Sequence, residues 1–156
     1  MSRSLRFLIV LVAVALASST STGLVASAQG DRDRFVGAWR LAWLEEPGPD
    51  GKVHRADCTG LFVFTRDGYA SVQVMYRNPT GGDAGPVQYA QGGYEASYGR
   101  YDVDERAHAW TLHVEGAMVR SLVGKDLKRF YEFSGNQLIV TPSSADEHWR
   151  VAWERQ

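Results

Sequence analysis

The residue types best suited to chemistry lie in one short alternating segment and in the strand predicted to follow it. His113 and Glu115 alternate with apolar residues, so a strand would place both on one face. A histidine can move a proton near neutral pH, whereas a carboxylate buried at Glu115 would need a charged partner. Arg129 is the natural partner because a guanidinium binds a carboxylate at two points. The pattern lets either face point inward, so His113 and Glu115 could equally lie in solvent.

A second alternating segment carries polar side chains that could form the wall of a binding cavity. Ser71, Gln73 and Met75 would share one face of such a strand, and Met75 would give that wall an adaptable surface. The alternative is an ordinary solvent-facing side. The candidate ligand-binding residues are Tyr69, Ser71, Gln73, Met75, Tyr101, His113, Glu115, Arg129 and Tyr131. Tyr89 and Tyr101 are candidates for the mouth of a cavity.

The sequence lacks the motifs of several common active sites and cofactor sites. It has no Gly-x-Ser-x-Gly motif, and its 4 histidines do not show a zinc-site spacing. No glycine-rich phosphate cradle follows a predicted strand. His54, Asp57 and Cys58 form only a loose group on a predicted polar loop. We therefore expect no metal and no cofactor, and we expect Cys58 to be a bystander.

Short alternating segments separated by turn residues predict an all-β domain. The predicted strands are 35–45, 61–65, 69–76, 98–104, 107–115, 127–133, 137–141 and 147–154. Three pairs of them are predicted hairpins, the first of them around Asp67-Gly68. Residues 87–98 are the least strand-like and predict a short helix or a long loop. No long helix separates the strands, which disfavours a parallel sheet and leaves an antiparallel sandwich or a closed barrel.

Gly37-Ala38-Trp39, at the start of the first predicted strand, resembles the Gly-x-Trp signature of the lipocalins. Several further stretches are similar to the lipocalin-like domain family of bacteria and fungi. They are 66–75, 98–104, 113–116, Gly124, 129–130 and 153–155. Their order and spacing match from Phe35 to Arg155. The resemblance implies an eight-stranded antiparallel up-and-down barrel of the calycin type with a central cavity.

The same resemblance implies roles for particular residues. In lipocalins the signature tryptophan plugs the closed end of the barrel, and an arginine of the last strand packs across its ring. Gly37, Trp39 and Arg155 are therefore the expected barrel-end residues, with a cation–π contact between the last two. His113 and Glu115 match recurring positions of the family, which favours the face-inward alternative for both.

The first 28 residues predict a secretory signal peptide. Arg3 and Arg6 precede an unbroken apolar run over 7–17, and Ala26-Ser27-Ala28 has the small-residue pattern of a cleavage site. The run of 11 residues is shorter than the roughly 20 that a membrane-spanning helix needs. An uncleaved anchor is the alternative. We expect a mature domain over 29–156, secreted or periplasmic, without stable membrane insertion.

The composition of that mature domain argues against some classes of function. Its weakly acidic, mixed charge argues against nucleic-acid binding, which needs a basic surface. A single cysteine excludes an internal disulfide. The expected function is binding of a small, largely hydrophobic ligand by a monomer. The alternatives are a cofactor-independent isomerase, cyclase or hydratase with His113 and Glu115 as catalytic residues, and a protein-interaction or inhibitor module.

Overall fold

The computed structural model describes residues 30–78 and 89–156. The expected signal peptide lies outside these described residues. In the described part a one-turn helix, α1 (Asp31–Phe35), precedes the strands β1 (Gly37–Pro47), β2 (Val53–Arg55), β3 (Cys58–Phe64), β4 (Tyr69–Tyr76), β5 (Ala90–Gln91), β6 (Tyr94–Asp104), β7 (Ala109–Ala117), β8 (Asp126–Ser134), β9 (Gln137–Pro142) and β10 (Arg150–Arg155). A short 3₁₀ helix, Arg120–Leu122, lies between β7 and β8.

Eight of these strands close into an antiparallel barrel. Their order around the barrel is β1, β3, β4, β6, β7, β8, β9 and β10, and β10 pairs with β1 to complete the circle. A register shift between Leu41 and Trp43 occurs where β1 pairs with β10. The short strands β2 and β5 pair with the ends of β1 and β6. The prediction of an eight-stranded antiparallel barrel is therefore confirmed.

The turns predicted from the sequence join the expected strand pairs. β3 pairs with β4 around Asp67-Gly68, β6 pairs with β7, and β8 pairs with β9. One local prediction is wrong. The described part of 87–98 forms β5 and the first residues of β6 instead of a helix or a long loop. Gly92 and Gly93, both with positive φ, make the turn between those two strands.

Aromatic rings fill one end of the barrel. Phe35, at the end of α1, is 0% exposed and its ring packs edge-on against Phe64, Tyr131 and Phe133. Trp39 Nε1 donates a hydrogen bond of 2.7 Å to the Phe35 carbonyl. Tyr131 Oη donates one of 2.9 Å to Asp31, which holds α1 across this opening. The first helical turn thus seals the end, and we call it the closed end.

Arg155 joins the closed end to the last strand. Its Cζ lies 4.2 Å from the centroid of the Trp39 ring, as the resemblance implied. Gly37 has a φ of +136°, and a Cβ there would approach Arg155 Nη1 to 2.9 Å. Only glycine combines that backbone conformation with that close approach, which explains the glycine of the Gly-x-Trp motif.

Alternation along the strands determines what the barrel encloses. Val72 and Val74 of β4 and Leu112 and Val114 of β7 are all buried inside. A register shift between β6 and β7 lies at Gly99, where a Cβ would overlap the carbonyl oxygen of His113. Among the described residues, no helix is both long enough and apolar enough to span a bilayer.

Candidate functional site

A cavity of about 80 Å³ lies inside the barrel beyond the closed-end core. Its wall is apolar and aromatic except for Tyr89, Glu95, Ser97 and Arg129. The apolar part includes the indole rings of Trp110, Trp149 and Trp153 and short aliphatic side chains such as Val72 and Val74. Such a wall, with a few convergent polar groups, is typical of small-molecule sites. The volume is below the roughly 300–1,000 Å³ of pockets for drug-sized ligands.

Arg129 supplies the positive charge of the cavity. Its side chain is 8% exposed, and its Cζ lies 4.7 Å from the centroid of the Tyr89 ring and 5.2 Å from that of Trp149. Nη1 donates a hydrogen bond of 2.8 Å to the carbonyl of Lys128. In the described part of the chain that is the one hydrogen bond of the guanidinium, which carries five N–H groups. The remaining donors are available to a bound group.

Two rings and one carboxylate form a cover over Arg129, which we call the aromatic cap: Tyr89, Glu147 and Trp149. Tyr89 Oη lies 2.8 and 2.9 Å from the two Glu147 carboxylate oxygens and donates to that group. Trp149 Nε1 donates a further hydrogen bond of 2.8 Å to Glu147. Glu147 therefore links the two rings that lie next to the guanidinium, because its carboxylate accepts a hydrogen bond from each of them.

Glu95 supplies the acid of the cavity. It lies on the inner face of β6, two residues before the buried Ser97. Burial raises the pKa of Glu95 to about 7, while the positive charge of Arg129 acts in the opposite direction. A carboxyl group with that pKa is present in both protonation states near neutral pH. It can therefore give or take a proton inside an apolar cavity.

Two tryptophans of the cavity wall have buried ring nitrogens. The rings of Trp110 and Trp153 line the cavity, and both side chains are buried. Their Nε1 atoms have no hydrogen-bond partner among the described residues. A buried donor without a partner is costly, on the order of 1–3 kcal/mol.

Of the nine sequence-predicted ligand-binding residues, the structure places Arg129 in the cavity wall. Its role in binding stays a prediction. The three β4 candidates lie on the outer face: Gln73 and Met75 are exposed, Met75 by 45%, and Ser71 is partly exposed. The expected orientation of this strand is therefore wrong. The strand turns Val72 and Val74 inward because burying aliphatic side chains is favourable and burying unpaired polar ones is costly.

His113 and Glu115 also lie outside the barrel, which corrects the expected cluster with Arg129. His113 bridges two carboxylates: Nδ1 is 2.7 Å from Asp126 Oδ1 and Nε2 is 2.9 Å from Asp102 Oδ2. Both hydrogen bonds raise the pKa of His113, and the one with Asp126 has the larger effect. Glu115 is exposed. The carboxyl group that shares the cavity with Arg129 is that of Glu95.

The three predicted tyrosines do not line the cavity. Tyr101 and Tyr131 belong to the closed-end core, where Tyr101 Oη donates a hydrogen bond of 3.1 Å to the Thr65 carbonyl. Tyr69 is partly exposed, with Arg100 Cζ 4.7 Å from its ring centroid. The candidate mouth role for Tyr101 is thus corrected, whereas Tyr89 does lie at the cavity, in the aromatic cap.

Glu95, Ser97, Glu147 and Trp149 were not among the site residues predicted from the sequence. Glu95 and Ser97 alternate with their neighbours along β6, which could have indicated a shared face. They were overlooked because this strand was predicted to begin at 98, whereas β6 begins at Tyr94. Trp149 alternates with Val151 and Trp153 in the last predicted strand, which does indicate a shared inner face. Nothing in the sequence indicates that Glu147 would hold the rings of two other residues.

His54, Asp57 and Cys58 form no metal-binding group in the described part of the chain. Cys58 is the first residue of β3 and is buried, whereas the sequence suggested a polar loop. Burial raises the pKa of its thiol to about 11. Within 30–78 and 89–156, no group of three or more His, Cys, Asp or Glu side chains is arranged to hold a metal ion.

Comparisons with known proteins add the following. The lipocalin-like domain family matches residues 36–156. Among solved structures, an uncharacterised protein from Bacteroides eggerthii is 14% identical over 78% of this chain and 99% of its own, with a TM-score of 0.46. A lipocalin-like protein from Bacteroides uniformis is 13% identical over 78% and 98%, with a TM-score of 0.46. The wild-type fluorescent protein UnaG is 12% identical over 80% and 98%, with a TM-score of 0.37. No curated protein matches the chain.

Proposed function

The chain belongs to the lipocalin-like domain family, and we propose that it binds a small, largely hydrophobic molecule in the barrel cavity outside the cytoplasm. The observation that carries this proposal is the cavity itself, an apolar wall interrupted by a few polar side chains. A core that served stability alone would be expected to bury neither Arg129 nor Glu95. Retaining both inside the barrel favours a binding role.

The size of the cavity and the position of the cap define what can enter. With the rings of Tyr89 and Trp149 in place, about 80 Å³ admits only a small molecule. A larger ligand would have to displace the cap, in which Glu147 accepts a hydrogen bond from each ring residue. We therefore propose that the ligand enters at the cap, opposite the closed end sealed by Phe35.

The location of the protein is part of the proposal. The basic residues Arg3 and Arg6, the apolar run over 7–17 and the pattern Ala26-Ser27-Ala28 favour export. We propose that the mature domain acts as a secreted or periplasmic protein. Fractionation of the host, with N-terminal sequencing of the purified protein, tests this: a mature N-terminus near Gln29 is expected, and an intact Met1 in the cytoplasm would contradict it.

Native mass spectrometry of protein purified from its host tests the binding function. A bound small molecule is expected, and titration of the unloaded protein with that molecule should change tryptophan emission because Trp110, Trp149 and Trp153 line the cavity. If no molecule co-purifies and a panel of small lipophilic compounds leaves the emission unchanged, the proposed function is wrong.

A pair of adjacent residues on β4 supplies a matched control. Val74→Trp would fill the cavity and should abolish binding, whereas Gln73→Trp adds the same ring on the outer face and should leave binding unchanged. Overpacking costs about 1–3 kcal/mol, so circular dichroism must show that both variants fold. Equal binding by the two variants would place the ligand outside the barrel.

A second candidate function is a cofactor-independent isomerase, cyclase or hydratase acting in the same cavity. The specific observation in its favour is Glu95, a carboxyl group inside an apolar cavity with a pKa raised to about 7. Incubation of the co-purified molecule with the protein, followed by mass spectrometry, distinguishes the two. Conversion by the unmodified protein but not by Glu95→Gln, with binding retained, would support an enzyme; unchanged ligand would exclude one for that molecule.

A further inference from the structure

The cavity holds two ionisable groups of opposite charge that do not form a hydrogen-bonded pair. Arg129 on β8 and Glu95 on β6 both line it, and the hydrogen bond given by the guanidinium goes to the Lys128 carbonyl. The positive charge of Arg129 acts on the Glu95 carboxyl group. A cavity whose largely apolar wall contains both an arginine and a carboxyl group is suited to a third charged group.

The charge of Arg129 cannot be removed by deprotonation in this setting. The rings of Tyr89 and Trp149 lie next to the guanidinium, so its N–H groups without a hydrogen-bond partner among the described residues are the part that can bind a ligand. A planar fork of donors matches a carboxylate better than a neutral carbonyl. Desolvation in the cavity strengthens that preference for an anion.

We infer that the ligand of this cavity is a small apolar molecule carrying one carboxylate, which Arg129 binds while Glu95 takes up a proton. The inference rests on the proposed function and names the ligand class of that same site. Without the proton, the ligand carboxylate and Glu95 would be two negative charges sharing one arginine in an apolar cavity, which is unfavourable. The proton comes from solvent and stays on the Glu95 carboxyl group.

The groups around Glu95 determine the pH at which this happens. Arg129 faces it from β8, and Tyr76 is the ionisable side chain that interacts with it from β4. The residues paired with Glu95 on β4 and β5, Val74 and Ala90, do not titrate. The pKa of Glu95 in the empty cavity is about 7, and a bound anion raises it further. Affinity should therefore be highest below about pH 7 and fall as the pH rises above it.

The test compares carboxylates with neutral molecules of the same shape. Benzoate and hexanoate are titrated beside benzyl alcohol and 1-hexanol, by calorimetry and tryptophan emission, at about pH 6 and about pH 8.5. At the lower pH we expect the carboxylates to bind at least about tenfold more tightly than the alcohols, the effect of one charged hydrogen-bonded contact. At the higher pH we expect that preference to shrink by about tenfold.

Two variants separate the roles of the two residues. Arg129→Met should remove the preference for carboxylates and keep alcohol binding, and Glu95→Gln should keep the preference at both pH values. The matched controls lie on the outer face. Arg100→Met also removes an arginine 4.7 Å from a tyrosine ring, and Glu132→Gln removes an exposed carboxylate of β8. Both controls should behave as the unmodified protein.

Each outcome decides between the inference and the proposed function. If carboxylates and alcohols bind equally, the proposed function stands and the inference is wrong. If neither class binds, both fail. If the carboxylate preference does not change with pH, proton uptake by Glu95 is overturned. If Arg129→Met does not fold, the inference is still tested by Arg129→Lys and by the pH profile of Glu95→Gln, which is a nearly isosteric change.

Discussion

The guanidinium of Arg155 covers the ring of Trp39, with 4.2 Å between Cζ and the ring centroid. The same side chain donates hydrogen bonds to two carbonyls of the segment before β1, one of 2.8 Å to Val36 and one to Arg34. Arg155 thus connects the last strand of the barrel to the helical turn that seals it. Loss of this side chain should loosen the closed end without touching the cavity.

Arg155→Met should lower the free energy of unfolding by about 2 kcal/mol, from the lost cation–π contact and the lost charged hydrogen bonds. Urea unfolding followed by tryptophan emission measures it. Arg150→Met is the control, since Arg150 also lies over a tryptophan, with Cζ 5.4 Å from the Trp43 ring, but that ring is only partly buried whereas Trp39 is buried. Its change should stay within about 0.5 kcal/mol. Equal losses in the two variants would contradict the role given to Arg155.

The strand pattern and the closed end could be predicted because local chemistry determines both. Asp67-Gly68 turns the chain between β3 and β4, and period-two alternation then defines each strand. The Trp39–Arg155 contact followed from a family resemblance, not from spacing. Closure of the sheet into a barrel was one of two architectures that the strands allowed.

The sequence did not determine in the same way which face of each strand points into the barrel. On β7 the polar set with His113 and the apolar set with Leu112 alternate equally well, and only the packing of the whole barrel decides between them. Glu95 was missed because Gly92-Gly93 obscured the start of β6. The aromatic cap depends on Glu147 meeting Tyr89 from a distant part of the chain, and no local pattern encodes that contact.

Glu95→Gln should stabilise the protein at high pH relative to low pH. Burial raises the pKa of Glu95 from 4.5 to about 7, so the folded state holds a proton that the unfolded state releases. The stability from this group is fully present below about pH 4.5 and is lost as the pH rises through about 7. The variant should gain on the order of 2 kcal/mol over the unmodified protein between about pH 5 and about pH 8.

Denaturant titrations of both proteins at the two pH values measure that gain. Glu132→Gln, an exposed glutamate on the outer face of β8, is the control and should show the same difference from the unmodified protein at both pH values. A pH-independent difference for Glu95→Gln would mean that Glu95 titrates in the folded protein as it does in the unfolded chain.

His113→Gln should have a small, pH-dependent effect on stability and no effect on ligand binding, because His113 lies outside the barrel. The carboxylates of Asp126 and Asp102 raise the pKa of His113 above 6.5. The stability it gives is fully present below 6.5 and is lost as the pH rises through the raised value. The destabilisation should thus be larger at about pH 6 than at about pH 9, and should stay below about 1 kcal/mol for so exposed a group.

Thermal unfolding at the two pH values measures this effect. His148→Gln is the control, because His148 is exposed and takes no part in the ion pairs of the described structure. A destabilisation by His113→Gln that increased with pH would contradict the predicted direction of the effect. If His113→Gln lost ligand binding but kept its stability, His113 would belong to the binding site, which would contradict its position outside the barrel.

Glu147→Ala should open the aromatic cap. The change removes the acceptor for Tyr89 Oη and for Trp149 Nε1, so the two rings lose the carboxylate that links them next to Arg129. Quenching of tryptophan emission by acrylamide, a small neutral molecule, measures access to the cavity and needs no identified ligand. The quenching constant should rise severalfold, because two hydrogen bonds to a charged group, each contributing about 1.5–3 kcal/mol, hold the cap closed.

Asp146→Ala is the matched control, since it removes an exposed carboxylate from the adjacent position and leaves the cap contacts intact. Its quenching should equal that of the unmodified protein. The free energy of unfolding of Glu147→Ala should fall by the contribution of the two lost hydrogen bonds, while the closed end and the strand pairing stay intact because they do not depend on Glu147. If Glu147→Ala and Asp146→Ala are quenched alike, the rings keep their place without the carboxylate, and entry of a ligand must be controlled elsewhere on the barrel.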